Sequence, residues 1–108
     1  MKDSIRSKTM PASSIRTGMV IQTTVFLGVK GWRVVTLIIV PPSGGVRFEL
    51  NKDGKADNPV MYDNHKWDDQ VAYQVDTSGK PIMVEVEDRL KKHKRLDITS
   101  ALGTTEGF

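Results

Sequence analysis

Residues 15–40 read IRTGMVIQTTVFLGVKGWRVVTLIIV, and the fold turns on this stretch. Valine, isoleucine, threonine and aromatic residues crowd positions 19–27 and again 32–40, with glycines before and between the two runs. Branched and aromatic side chains fit a pleated surface, so both runs are predicted as strands, joined by a turn at GVKG (28–31) and followed by one at PPSGG (41–45). The second run is almost continuously apolar from Val34 onward, the pattern of a strand buried on both faces or bending through a barrel corner.

The same reading extends in both directions. In 45–50, Val46, Phe48 and Leu50 alternate with Arg47 and Glu49, which gives a strand with one apolar face. NKDGKADNP (51–59) is a turn-rich loop in which Asp53 and Gly54 are expected to form a positive-φ pair, and 60–62 is a short strand. In 70–75 the apolar set is Val71, Tyr73 and Val75; DTSGKP (76–81) then turns the chain into Ile82, Val84 and Val86, so a hairpin is expected. EVEDRLKKHKRLDI (85–98) runs from acids to cations, the order a helix dipole prefers. The expected organisation is a flexible basic N-terminus over 1–11, a β-barrel domain over 12–86, a short basic helix over 87–98 and a flexible tail over 99–108. The core is assigned to Val20, Val25, Val34, Val35, Leu37, Ile39, Phe48, Leu50, Val71, Tyr73, Ile82, Val84 and Val86.

A chain of 108 residues is one domain. It has no cysteine, which removes disulfides, thiolate zinc ligation and cysteine nucleophiles together. No apolar run approaches the roughly 20 residues of a membrane helix, and the first residues lack a signal-peptide pattern, so a cytoplasmic protein without membrane contact is expected. The net charge of +3 is unevenly spread. Residues 57–76 carry five aspartates against one lysine, whereas 89–95 (RLKKHKR) carry five cations in seven positions.

Residues 12–50, through SSIRTGMVIQ and GWRVVTLIIVPPSGGVRFEL, resemble the SH3-like barrels of the translation-protein and KOW kind. In that resemblance Gly18 supplies the tight turn before the first strand and Gly31 the turn before Trp32. Five or six short strands finished by a terminal helical turn describe a small barrel or a tightly curled sheet, and with the resemblance the expected fold is mainly β, a five- to six-stranded SH3-like barrel with a short C-terminal helix. After Leu50 the chain departs into a long polar loop, and an OB-like barrel, which also carries a long variable loop, fits the same pattern.

Catalytic and metal motifs fail on spacing. ELNKDGKADNPV (49–60) follows a calcium-loop register until its last position, where Val60 stands in place of the bidentate carboxylate. Asp63, His65, Asp68 and Asp69 offer oxygen and imidazole, but no second histidine falls at ligand spacing, and the segment reads as a solvated acidic loop. No serine sits in a nucleophile elbow, and PPSGG lacks the lysine and helix of a phosphate loop. No enzymatic activity, metal or cofactor is expected.

Cations beside aromatic rings carry the binding expectation, because rings stack on bases while cations meet phosphates. The candidate nucleic-acid site is Lys30, Trp32, Arg33, Arg47, Lys66, Trp67, Arg89, Lys91, Lys92, Lys94 and Arg95. The alternative is a protein-interaction module, for example a phage-type accessory factor, docking on a larger protein through a sheet edge or the acidic 57–76 loop.

Overall fold

The computed structural model describes residues 5–87. Six strands form one antiparallel sheet: β1 (Ser7–Pro11), β2 (Val20–Phe26), β3 (Val29–Ile39), β4 (Val46–Asn51), β5 (Met61–His65) and β6 (Gln70–Gln74). Their order across the sheet is β1-β6-β2-β3-β4-β5. The chain is therefore mainly β, as its branched and aromatic runs imply. The helix expected over 87–98 and the tail over 99–108 lie, from residue 88 on, outside the described residues.

Strand β1 corrects the N-terminal boundary. Residues 7–11, assigned by sequence to a flexible end, pair with β6 from Ser7 opposite Gln74 to Pro11 opposite Gln70. Nothing in SKTMP alternates strongly enough to announce a strand; the free edge of β6 recruits it.

The sheet coils tightly. β5 and β6 stand four strand spacings apart in the ladder order, about 19 Å if the sheet were flat, yet only residues 66–69 link them. Thr23 on β2 donates its hydroxyl hydrogen to Asp63 on β5 at 2.8 Å, although two strands lie between them. On the concave face, Ile21, Val35, Phe48, Leu50, Val71 and Tyr73 form the core, with Ala12, Ile15 and Met19 closing one side.

Two β-bulges rewrite the register of the long hairpin. One, between Val35 and Leu37, inserts Thr36, whose hydroxyl donates to the Glu49 carboxylate and lies 3.0 Å from its carbonyl oxygen. The bulge shifts the alternation, so Ile38 packs against the core while Leu37 is 41% exposed. Leu37 is therefore corrected from core to surface, because a run apolar at nearly every position gives no parity. Leu37→Ala is expected to cost less than about 1 kcal/mol in urea unfolding, against the roughly 2–4 kcal/mol of a buried leucine.

The second bulge lies between Thr24 and Phe26. Here the predicted GVKG turn is corrected: Val29 pairs with Phe26, and the connection is only Leu27-Gly28. Gly31 sits inside β3 opposite Thr23, and a Cβ there would lie 2.9 Å from a methyl of Val25. Its role is to admit a neighbour and not to turn the chain. Gly18, by contrast, has φ +98° and donates its N–H to the Val35 carbonyl, in the turn before β2.

Segment 82–86 does not add a strand. The expected hairpin begins, with Val75 bridged to Pro81 and the Ile82 N–H donating to the Gln74 carbonyl, but at Tyr73 β2 takes that edge of β6 and the pairing stops there. The chain instead crosses the outer face: Val84 donates to the Gly18 carbonyl and Glu87 to that of Gly54. Ile82, Val84 and Val86 are consequently half-buried, and Val34, on the face opposite Val35, is covered as well. Gly54 takes φ +83° while Asp53 does not, and a Cβ on Gly54 would come within 2.9 Å of the Glu85 carbonyl oxygen. Gly54→Ala is expected to lower the urea midpoint by the equivalent of at least about 1 kcal/mol, since both the backbone conformation and the close approach oppose a side chain.

Candidate functional site

The cations and rings selected from the sequence do not converge among the described residues. Lys30 and Trp32 share the outer face of β3, the first exposed and the second half-buried. Arg47 is on the same face but opposite Ile39, at the far end of β3, some nine residues or up to roughly 30 Å from Lys30. Its guanidinium Nε donates to Asn64 Oδ1 at 2.9 Å. Arg33 points to the other face, opposite Ile21, and donates to the Trp32 carbonyl. Lys66 and Trp67 lie in the β5–β6 turn, Trp67 with 48% of its surface exposed. Arg89, Lys91, Lys92, Lys94 and Arg95 lie outside the described residues.

The acidic segment 57–76 contains β5 and β6, where strands are expected over 60–62 and 70–75, and its loop is confined to the residues around them. Asp63 turns inward to Thr23, and His65 joins it: Nε2 is 2.9 Å from Asp63 Oδ2, and Nδ1 is 3.4 Å from Asp69 Oδ2. His65 also packs its ring against Phe48, with centroids 5.6 Å apart. These groups bond to one another across the coil of the sheet. Among the described residues, no three acidic or histidine side chains are placed to hold a metal ion, and no helix is long and apolar enough to cross a membrane.

Aspartates fasten the turns. The Asp53 carboxyl is held below its ordinary range chiefly by the Lys55 N–H, Asp69 chiefly by the Lys66 N–H, and Asp76 chiefly by the Ser78 side chain, with further N–H groups adding. A carboxyl with a lowered native pKa stabilises the fold above its unfolded value near 3.8 and loses that contribution as the pH falls through the native value. Denaturation midpoints are therefore expected to be level from about pH 6 to about 4.5 and to fall below about pH 4. In Asp76→Ala the fall should be shallower; an unchanged slope would remove Asp76 from this set.

Two features that sequence reasoning missed stand out. The first is the tip of the β2–β3 hairpin, where Phe26, Leu27 and Val29 are 67%, 85% and 56% exposed. Leu27 and Gly28 have φ of 37° and 83°. Two successive positive-φ residues make the turn whose twist suits a two-residue hairpin, a turn that usually takes Asn-Gly or Asp-Gly. Leu27 is the one non-glycine with positive φ among the described residues. Its backbone costs on the order of 1 kcal/mol there, and its side chain gains nothing from burial. The signal in the sequence was FLGV itself, three apolar residues round a glycine, which blends with the apolar strands on either side.

The second is an open cleft of about 360 Å³ on the outer face, between β3–β4, the 54–60 loop and the crossing segment. Leu37, Val60 and Val86 give it apolar walls, with Glu49 and Glu87 as its carboxylates and Lys55 as its cation. Glu49 is 4% exposed and accepts from Thr36 Oγ1 at 2.8 Å and from Tyr62 Oη at 3.2 Å. Asn51 shapes the loop: its Oδ1 accepts the N–H groups of Asp53 and Gly54, and its Nδ2 donates to the Lys55 carbonyl. The Asn51 and Asp53 oxygens of the calcium-like register thus serve the turn, while the Glu49 carboxylate serves Thr36 and Tyr62.

Comparison with protein-family models, with curated proteins and with solved structures gives no match to this chain. Function must be argued from the molecule's own chemistry.

Proposed function

We propose that this protein is a non-enzymatic binding module that docks on protein through the tip of its β2–β3 hairpin. Leu27 carries the reading. An apolar residue held in a backbone conformation that asparagine or glycine would occupy more easily, with its side chain in solvent, is a local cost without a folding return. Phe26 and Val29 extend the same apolar surface, and Lys30 follows it directly. Apolar patches of this kind are where soluble proteins meet partners. The coiled six-stranded sheet supplies a rigid stem, and its closure into an SH3-like or OB-like barrel belongs to the same proposal.

Nucleic-acid binding is the second reading, supported by the placement of Lys30 and Trp32 on one face and by the cation run at 89–95. Nuclease and salt separate the two. Material co-purifying through the hairpin tip should survive nuclease and about 1 M salt, because apolar contact releases no counterions. Leu27→Asn is the decisive variant: it is expected to stabilise the domain by about 0.5–1 kcal/mol in urea, by suiting the turn, while abolishing protein capture. Capture by Leu27→Asn equal to that of the parent would overturn the docking reading. Binding to single-stranded oligonucleotides that weakens steeply with salt, unaffected by Leu27→Asn, would establish the second.

A further inference from the structure

His65 lies where the coil of the sheet is tied, and both of its ring nitrogens face carboxylates. Nε2 is 2.9 Å from Asp63 Oδ2 on β5, and Nδ1 is 3.4 Å from Asp69 Oδ2 in the β5–β6 connection. A neutral imidazole has one N–H and one lone pair, so between two carboxylates it donates once and turns the lone pair on the other oxygen; only the imidazolium donates twice. The surroundings supply no competing cation. β4 sets Val46 opposite His65 in the ladder and packs the Phe48 ring on it, and β2 reaches the cluster through the Thr23 hydroxyl, which donates to Asp63. Among the described residues, neither carboxylate has a lysine or arginine within ion-pair distance. Lys66 meets Asp69 through its backbone N–H. Of the groups that hold the Asp69 carboxyl low, that N–H comes first, the His65 ring next and the Lys66 charge last.

We infer that His65 is a proton-operated latch on the connection between β5 and β6: the imidazolium holds Asp69 against β5, and loss of its proton releases Asp69. The shorter bond, to Asp63, is the one a neutral ring keeps, with its single N–H on Nε2. Nδ1 then opposes an Asp69 side chain that is 43% exposed and can turn to water. The loosening is local, because Ala12 and Ser13 donate their N–H groups to the carbonyls of Asp69 and Trp67 and hold the far side of the connection in either state. What the latch governs is how firmly Lys66 and the half-exposed Trp67 are presented. A contact that needs the charged ring is fully present below the unfolded histidine value near 6.5 and is lost as the pH rises. One that needs the Asp69 carboxylate is lost as the pH falls below about 4. The latch is therefore shut between about pH 4.5 and about pH 6.

This inference is independent of the hairpin tip and of any partner. Long-range proton–nitrogen NMR of the full chain carrying His93→Asn, which leaves His65 as the one histidine, tests it. At about pH 5.5 both ring nitrogens are expected to be protonated, and at about pH 8.5 only Nε2. The backbone amides of 66–69 should shift with the ring over the same range, and their order parameters should fall from the rigid value of about 0.85 as the ring loses its proton. Asp69→Asn keeps an oxygen for the Lys66 N–H but carries no charge, so the response of these amides should fall at least about twofold, the ratio of charge-assisted to neutral hydrogen bonds. A ring with a single N–H at about pH 5.5, amides of 66–69 that stay still while the ring titrates, or an undiminished response in Asp69→Asn overturns the inference. The first two outcomes are read without the Asp69 variant, so they decide the matter even where Asp69→Asn does not fold.

Discussion

Phe48→Ala is expected to cost about 3–5 kcal/mol, enough to unfold much of the population of a domain this small at room temperature. Phe48 is fully buried, the largest side chain so placed among the described residues. It stands on β4 with ladders on both sides, opposite Ile38 on β3 and Asp63 on β5, so the surrounding backbone is pinned and cannot collapse into the space left. The ring also packs against His65, and its loss would loosen the imidazole that spans Asp63 and Asp69. Urea unfolding followed by tryptophan fluorescence would give the number. A cost under about 1 kcal/mol would mean that the concave face of the sheet is not the core.

Asp63→Ala should follow with about 1–3 kcal/mol, an effect large for a residue whose side chain is a quarter exposed. The reason lies with its partner. Thr23 is 4% exposed, and its hydroxyl donates to Asp63 Oδ2 across the coil of the sheet; without that acceptor a buried donor goes unsatisfied. Thr23→Val removes both the donor and its need, so Thr23→Val/Asp63→Ala should be less destabilised than the two single costs added together. A double-mutant cycle with strictly additive costs would show that β2 and β5 are not joined by this bond. The test bears on the docking reading as well, because β2 is also the stem of the exposed hairpin tip.

Composition and periodicity determined much of this protein. Branched and aromatic residues over 19–40 specify two long strands, and the alternation of Val46, Phe48 and Leu50 and of Val71, Tyr73 and Val75 places those side chains in the core, because a two-residue period admits one buried face. The turn at Gly18 was legible for a similar reason: a glycine before a strand satisfies a φ of +98° at no steric cost. What local pattern could not decide was which strand takes which edge. Ile82, Val84 and Val86 alternate just as well on paper, but after a single bridge, Val75 to Pro81, β2 takes that edge of β6, so their segment crosses the outer face and half-buries its apolar side chains there. Parity failed in VVTLIIV because every position is apolar or tolerant, and the bulge at Thr36, fixed by hydrogen bonds to a residue thirteen positions away, chose Ile38 for the core and left Leu37 on the wall of a cleft. The cations chosen for a shared surface were scattered for the same reason: sequence proximity says nothing about face or end, and the ladder puts Lys30 and Arg47 at opposite ends of β3. Exposure of Phe26 and Leu27 is likewise a property of the two-residue connection, since a longer turn at GVKG would have carried them into the strand; only the pairing of Phe26 with Val29 sets them at the tip, where none of the described residues covers them.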